Sequence, residues 1–392
     1  TYSWTGSFYA QYRGIIANGP TAGATVFFDA NKNWQLDPNE PFTVTDNNGK
    51  YTLDYDLNLF DLDKNGKIDS NEGQIVANGG IDTTTGLPLI IPMVSEVGST
   101  LDSSMISPLT TLEAVLGTTG LTKDQVNALL QKISGLNLVS LSQSIDTFDP
   151  YKAIGQAQSE GVNIVANHIK VMNLLLNGTT YLSSAGHPQK NLEVDVIKAL
   201  GATLQSVSSF DLSNNNDLRL FLNQLDQKID VSTIPNYVKD SVANLIAQSN
   251  TLIDNLVQTS LNRSVDNFLP TINPIKKAVY TNLPTLTKGL ITYEISPRVA
   301  QKELNALLNA DSVLIQYQLD ANRTLKVTSN GTLTEGNDTK AQFIINLGEA
   351  APSQGLKILY SLGGSASSGD YILDSSSLSE INVAPGQSQA II

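Results

Sequence analysis

Asp61-Leu62-Asp63-Lys64-Asn65-Gly66-Lys67-Ile68-Asp69-Ser70-Asn71-Glu72 carries oxygen side chains at positions 1, 3, 5 and 9 of a twelve-residue stretch, glycine at 6, an apolar residue at 8 and glutamate at 12. A hard cation needs several oxygens converging from a short length of chain, and this spacing wraps them around one point. The glycine permits the sharp turn, and the final glutamate closes the shell with both oxygens. The expectation is a Ca2+ site built from Asp61, Asp63, Asn65, Lys67, Asp69 and Glu72, with Lys67 contributing its backbone carbonyl. A second copy lies upstream, where Asp29, Asn31, Asn33, Gln35, Asp37 and Glu40 hold positions 1, 3, 5, 7, 9 and 12 and Trp34 stands in place of the glycine. Read without a ligand, either stretch is an acidic, Asn-rich surface turn.

Around these loops the composition narrows the function classes. The 392 residues suffice for two or three domains with cores of their own. A net charge of −13 and the lack of any Lys/Arg run exclude a nucleic-acid binder, because a phosphate backbone demands a basic patch. Zero cysteines exclude disulfides, zinc–thiolate sites and thiol catalysis. No apolar run approaches the ~20 residues needed to span a bilayer. An acidic, cysteine-free chain with calcium loops suits an extracellular setting, secreted or at a cell surface, where calcium is plentiful. The start at Thr1, with neither Met nor signal peptide, reads as a removed leader or a fragment.

Three textures follow one another along the chain. Residues 14–95 are strand-like, with β-branched runs broken by Gly, Asn and Asp; Val26-Phe27-Phe28 runs into the first loop, and Asp46-Asn47-Asn48-Gly49 reads as a hairpin turn. Residues 105–310 are helical in pattern. Ser107-Pro108 caps one helix that Gly117 stops, and Thr122 and Gln125 form a capping box ahead of Val126, Leu129, Leu130 and Ile133. Amphipathic segments cover about 162–176, 192–206, 216–228, 236–260 and 297–309, separated by Asn, Gly and Pro. From about 313 alternation returns in Val313-Leu314-Ile315, Leu325-Lys326-Val327 and Ala341-Gln342-Phe343-Ile344-Ile345. The expected fold class is α+β multidomain. It comprises an N-terminal extension (1–13), a β-sandwich with EF-hand-like calcium loops (14–100), a central helical bundle (101–310) and a C-terminal β domain (311–392).

Residues 14–60 resemble the B-type calcium-binding β-sandwich repeats of bacterial surface proteins related to the collagen-adhesin B family. The likeness rests on Gly23-Ala24-Thr25-Val26-Phe27-Phe28-Asp29, the acidic loop ending at Glu40-Pro41, and Thr45-Asp46-Asn47-Asn48-Gly49-Lys50-Tyr51. Residues 328–392 resemble a Calx-beta domain through Leu333-Thr334-Glu335-Gly336, Gly369-Asp370-Tyr371 and Val383-Ala384-Pro385-Gly386-Gln387. That resemblance implies acidic ligands at Glu335 and Asp370, and closing strands that would begin where this chain ends, hence an incomplete sandwich. Ile106-Ser107-Pro108-Leu109-Thr110-Thr111-Leu112 is similar to segments that follow B-type repeats in bacterial secreted proteins.

Residues 1–13 alternate, with Tyr2, Trp4, Phe8, Ala10 and Tyr12 on one side and Ser3, Thr5, Ser7, Gln11 and Arg13 on the other. An exposed apolar strand and an incomplete sandwich would complement each other, so donation of this strand to the next subunit's C-terminal domain would build a head-to-tail fibre. Two alternatives stand beside it: residues 1–13 as an extra strand of their own sandwich, and a C-terminus that is a cleavage point within a longer chain. No enzyme site assembles. His168 falls at helical spacing between Ile164 and Met172 and reads as structural, His187 lies in a loop, and Asp54 and Asp56 adjoin the calcium loops. The resulting expectation is a non-enzymatic, calcium-stabilised subunit of a bacterial surface fibre or surface layer. The alternative is an adhesin or stalk segment that binds cell-surface polysaccharide.

Overall fold

In the computed structural model the described residues are 9–97, 104–141, 143–187, 190–229, 234–308, 326–330, 342–347, 350–351, 355–359 and 380–391. The chain divides into two compact units, Thr1–Leu308 and Asn309–Ile392. Its architecture is mixed, with helices beside several small sheets.

The strands of the first unit are β1 (Tyr9–Ile16), β2 (Thr21–Ala22), β3 (Thr25–Asp29), β4 (Phe42–Val44), β5 (Lys50–Asp56), β6 (Gln74–Asn78), β7 (Ile81–Asp82), β8 (Met93–Glu96) and β9 (Ser104–Ile106). They form sheets in the orders β5-β1-β9, β4-β3-β6-β8 and β2-β7. Period-two alternation sets the faces: along β5, Tyr51, Leu53 and Tyr55 are buried while Thr52 and Asp54 are exposed. The first two sheets meet through Phe28 and Tyr55, whose rings stack with centroids 6.4 Å apart, and Phe60 packs edge-on against Phe28 at 4.8 Å. β9 runs parallel to β1 and approaches it so closely at Gly14 that an added Cβ would lie 1.9 Å from the Ser104 carbonyl.

Two expectations change here. Residues 9–13 are not a free strand, because β1 pairs antiparallel with β5 from Tyr9↔Asp56 to Ile15↔Lys50 and puts Tyr12 in the core. Residues 1–8 lie outside the described residues. The turn at Asp46–Gly49 forms, with the Lys50 N–H donating to Asp46 Oδ1 at 2.8 Å, but it joins strands of two different sheets rather than a hairpin pair.

The helices are α1 (Leu57–Phe60), α2 (Pro108–Gly117), α3 (Lys123–Leu130), α4 (Pro150–Gly155), α5 (Ser159–Ser184), α6 (Leu192–Ser206), α7 (Asn215–Asp226), α8 (Asn236–Arg263), α9 (Phe268–Ile291) and α10 (Pro297–Leu308). The expected cap at Ser107 is present and is a capping box with Thr110, and the expected capping box of Thr122 with Gln125 is present as well. The expected amphipathic segments correspond to α5, α6, α7, α8 and α10. The sequence pattern missed α9, which continues through Pro274 and Pro284. An interior proline costs a helix about 3 kcal/mol, and burial of Phe268, Ile272, Ile275, Val279, Leu283 and Leu290 offsets it. A polar seam registers the long helices: Asn173 Nδ2 donates to Asn250 Oδ1 at 2.9 Å, and Thr287 Oγ1 to Asn177 Oδ1 at 2.6 Å.

The boundary expected at 100/101 divides neither strands from helices, since β9 lies beyond it and pairs with β1, nor one core from another. Sheet and helix side chains belong to a single apolar cluster, in which Val94 and Met93 join Leu109 and Leu112. The Val94 N–H donates to Thr111 Oγ1 at 2.9 Å, and Thr110 Oγ1 donates to the Val94 carbonyl at 2.8 Å. Deeper still, Lys276 Nζ of α9 lies 2.9 Å from Asp82 Oδ2 of β7 and donates to the Asn18 carbonyl, with Lys276 and Asp82 both buried.

The second unit contains β10 (Lys326–Asn330), β11 (Gln342–Asn346), β12 (Leu356–Leu359), β13 (Glu380–Val383) and β14 (Gln389–Ile391), in sheets β10-β11-β14 and β12-β13. Ile345, Leu347, Ile358, Val383 and Ala390 form its described core. The Val383–Gln387 turn joins β13 to β14, and the Gly386 N–H donates to the Ala351 carbonyl at 2.8 Å. Val313–Ile315, Glu335 and Asp370 lie outside the described residues.

Candidate metal centre

Strand pairing brings the two acidic loops together. Residues 29–40 leave the end of β3, residues 61–72 lead into β6, and these strands pair antiparallel with Asp29 opposite Gln74. The loops therefore emerge at one end of the same strand pair. Gln74 Nε2 donates to Asp29 Oδ2 at 2.8 Å, and Lys32 Nζ in the first loop donates to the Ser70 carbonyl in the second at 2.5 Å.

Position for position, the loops share one hydrogen-bond pattern. The first acid accepts backbone N–H groups from positions 5 and 6: Asn65 to Asp61 Oδ1 at 3.1 Å and Gly66 to Asp61 Oδ2 at 2.8 Å, matched by Asn33 to Asp29 at 3.1 Å and Trp34 to Asp29 at 2.9 Å. Asp63 Oδ1 accepts from the Asn65 N–H, and Asn31 Oδ1 from the Asn33 N–H, each at 3.1 Å. Asn65 Oδ1 accepts from the Lys67 N–H at 3.0 Å, and Asn33 Oδ1 from the Gln35 N–H at 2.7 Å. The closing glutamates each span two positions. Glu72 accepts from Leu62 at 2.6 Å and Asp69 at 2.8 Å, while Glu40 accepts from Ala30 and Asp37, both at 2.9 Å.

The backbone follows the same register. Position 6 is left-handed in both loops, with φ +87° at Gly66 and +67° at Trp34, and so is position 4, with +60° at Lys64 and +57° at Lys32. Glycine adopts this conformation freely, whereas a side chain there costs about 1–2 kcal/mol. Trp34 is held in it by its place in the core, where it is only 8% exposed, and by its N–H bond to Asp29. The sequence departure at this position leaves the loop geometry unchanged.

Asp61, Asp63 and Glu72 bring carboxylate oxygens within 4.8 Å of one another, a group able to hold a metal ion. Asp61 and Glu72 are buried and Asp63 is exposed. The side-chain amide of Asn65 reaches between the carboxylates, donating to Asp63 Oδ2 at 3.0 Å and Asp69 Oδ2 at 2.6 Å. In the first loop Asn33 and Asn31 donate to Asp37 Oδ2 at 2.9 and 2.6 Å. These amides satisfy carboxylates that a cation would otherwise neutralise, and a turned amide would offer its oxygen instead. Lys67 Nζ pairs with Asp69 Oδ1 at 2.8 Å, and the lysine and Asn65 hold the Asp69 carboxyl below its ordinary range. Burial pushes the Glu40 carboxyl up, opposed by the Asp37 and Ala30 N–H groups. The donor set is all oxygen and free of thiol and imidazole, which suits Ca2+ better than a transition metal.

The remaining sequence candidates sit elsewhere. Asp54 is exposed and Asp56 caps α1 by accepting from the Asn58 N–H at 3.0 Å, so the two are not a paired acid and base. His168 is buried on α5 at 3% exposure, and burial drives its imidazole down to about 3. His187 Nε2 lies 3.3 Å from Asp195 Oδ2. Sequence reasoning missed Lys32 and Gln74 as links between the loops, since nothing local announces that residues 29 and 74 are strand neighbours. Searches against family models, curated proteins and solved structures found no match to this chain.

Proposed function

We propose that this chain is an extracellular, calcium-stabilised structural protein of a bacterial surface, a subunit of a fibre or surface layer. In this reading both loops bind Ca2+, the sheets meeting at Phe28 and Tyr55 form a B-type β-sandwich, and the second unit is a Calx-beta-like domain. The observation that carries it is the hydrogen-bond pattern shared by two loops of different sequence, the second of which gathers Asp61, Asp63 and Glu72 within reach of one ion. Asp61, Asp63, Asn65, Asp69, Glu72 and the Lys67 carbonyl would hold one ion; Asp29, Asn31, Asn33, Asp37, Glu40 and the Gln35 carbonyl would hold the other. Calcium supplies charge neutralisation and no reaction step. The first loop joins β3 to β4 within one sheet and the second leads from the sheet of β5 to that of β6, so binding energy there becomes folding energy.

The test is thermal unfolding of the full chain in calcium and in chelator. A ligand at 100 times its Kd adds about 2.7 kcal/mol. Asp61→Ala and Glu72→Ala should each lose the second loop's share of the calcium increment, beyond the loss in chelator that follows from the N–H groups they leave unpaired. Identical parental melts in the two conditions would refute calcium binding.

Self-association belongs to the same proposal in a narrower form. β1 is used within its own unit, so a donated strand would come from residues 1–8, where Tyr2, Trp4 and Phe8 lie. Light-scattering mass should fall when residues 1–8 are deleted. A mass unaffected by the deletion removes strand donation and leaves a stalk.

A further inference from the structure

A cleft of about 370 Å³ opens where the first acidic loop meets the start of α6, within the size range of small-ligand sites. Lys32 and Trp34 form one wall, and Lys190, Asn191, Asp195 and Lys198 form the other. Asn191 Nδ2 donates to the Asn33 carbonyl at 3.4 Å and ties the walls together. The loop's left-handed turns at Lys32 and Trp34 place both side chains on this wall.

Charge makes the cleft unusual. The chain carries −13 overall and only 24 Lys and Arg residues, yet three lysines converge here. Lys32 is engaged with the Ser70 carbonyl, whereas Lys190 and Lys198 form no ion pair among the described residues. The carboxylate on the wall, Asp195, is met by His187. Uncommitted ammonium groups in a concave site attract an anion. The rest of the lining narrows its class. Lysine offers point charges that take a carboxylate as readily as any other anion, so the class is set by the neutral groups of the lining. Trp34, 8% exposed, shows the cleft a small apolar patch beside the Asn191 amide and the Thr118 hydroxyl, which suits the edge of a ring that is apolar on its face and hydroxylated at its rim.

We propose that this cleft binds an acidic saccharide, with Lys190 and Lys198 receiving the carboxylate of a uronic-acid unit and Trp34 contacting its ring. The proposal goes beyond calcium stabilisation and gives the polysaccharide partner a site and a charge. Calorimetric titration of the full chain in calcium would use oligogalacturonate, a neutral galactose oligomer of equal length and inorganic sulfate. The expected result is binding of the oligogalacturonate that weakens with salt, falls roughly tenfold or more in Lys190→Ala/Lys198→Ala and is largely retained in Lys190→Arg/Lys198→Arg. Both positions are solvent-accessible, so the variants should keep the parent's melting temperature. Equal affinity for the neutral oligomer, no loss in the alanine variant, or no binding would overturn the proposal. Sulfate binding as tightly as the uronate would reduce the cleft to a simple anion site and overturn the saccharide assignment. Calcium stabilisation is read separately from the melts, so either proposal can fail alone.

Discussion

Trp34→Gly gives the first loop the glycine that the second already has, and backbone preference alone would forecast a more stable protein. Relief of the left-handed tryptophan at φ +67° is worth about 1–2 kcal/mol. Against it stands an indole 8% exposed within the main core cluster, and truncating a buried tryptophan costs about 3–5 kcal/mol. The added glycine loses a further ~0.5–1 kcal/mol through the freedom it gains when unfolded. The balance is a net loss of roughly 1.5–5 kcal/mol, with packing winning at every combination of these ranges. Urea unfolding in chelator, followed by far-ultraviolet circular dichroism, should show a lower midpoint at unchanged slope. A midpoint equal to or above the parent's would refute the argument that the core holds Trp34 in its strained conformation. Gly66→Ala supplies the control, because nothing lies within 4 Å of the added Cβ. The backbone terms then act alone, about 1–2 kcal/mol of left-handed strain against the ~0.5–1 kcal/mol that alanine recovers by restricting the unfolded chain, for an expected net loss of about 0–1.5 kcal/mol.

Other perturbations test the interior. Lys276→Met leaves Asp82 buried with only its Thr84 and Thr85 donors and should destabilise by about 3–5 kcal/mol in the same urea assay; Lys276→Met/Asp82→Leu should lose less than the single variant. His168 and Glu113 titrate with opposite consequences. His168 is held neutral down to about 3, so its contribution is complete above pH 6.5 and is lost as pH falls below it, by roughly 1.4 kcal/mol per pH unit. Burial raises Glu113 up to about 7, so its contribution is complete below pH 4.5 and is lost as pH rises from there to 7 at a similar slope. Between pH 4.5 and 6.5 the two offset each other. Relative to the parent, His168→Gln should therefore gain stability with falling pH, and Glu113→Gln with rising pH; differences flat across this window would show that neither group is held as its burial implies.

Much of the candidate centre was legible because its ligands lie within twelve consecutive residues. Asp61 to Glu72 and Asp29 to Glu40 each carry their spacing on a single stretch, and the chain geometry that closes such a loop is local. The caps at Ser107 and Thr122 were legible for the same reason, since a capping box spans four residues. Alternation likewise grouped Ala10 and Tyr12 on one side of the first strand, and Tyr12 is buried in the core. The chain's main division lies between residues 308 and 309.

What only the tertiary structure decided is pairing between distant residues. β1 could have been free or paired until Tyr9 met Asp56, and the loops became neighbours only when Asp29 came opposite Gln74. Helix α9 exists despite Pro274 and Pro284, because the apolar area it buries outweighs their local penalty. The expected boundary at residue 100 gave way for the same reason: Lys276 reaches Asp82, and Leu109 and Leu112 pack with Val94, so strands and helices bury one another's apolar faces in a single core. By itself the sequence determined where oxygens, caps and turns stand along the chain. Burial decided which of those segments became neighbours, because the free energy of removing apolar surface from water depends on partners that no local spacing names.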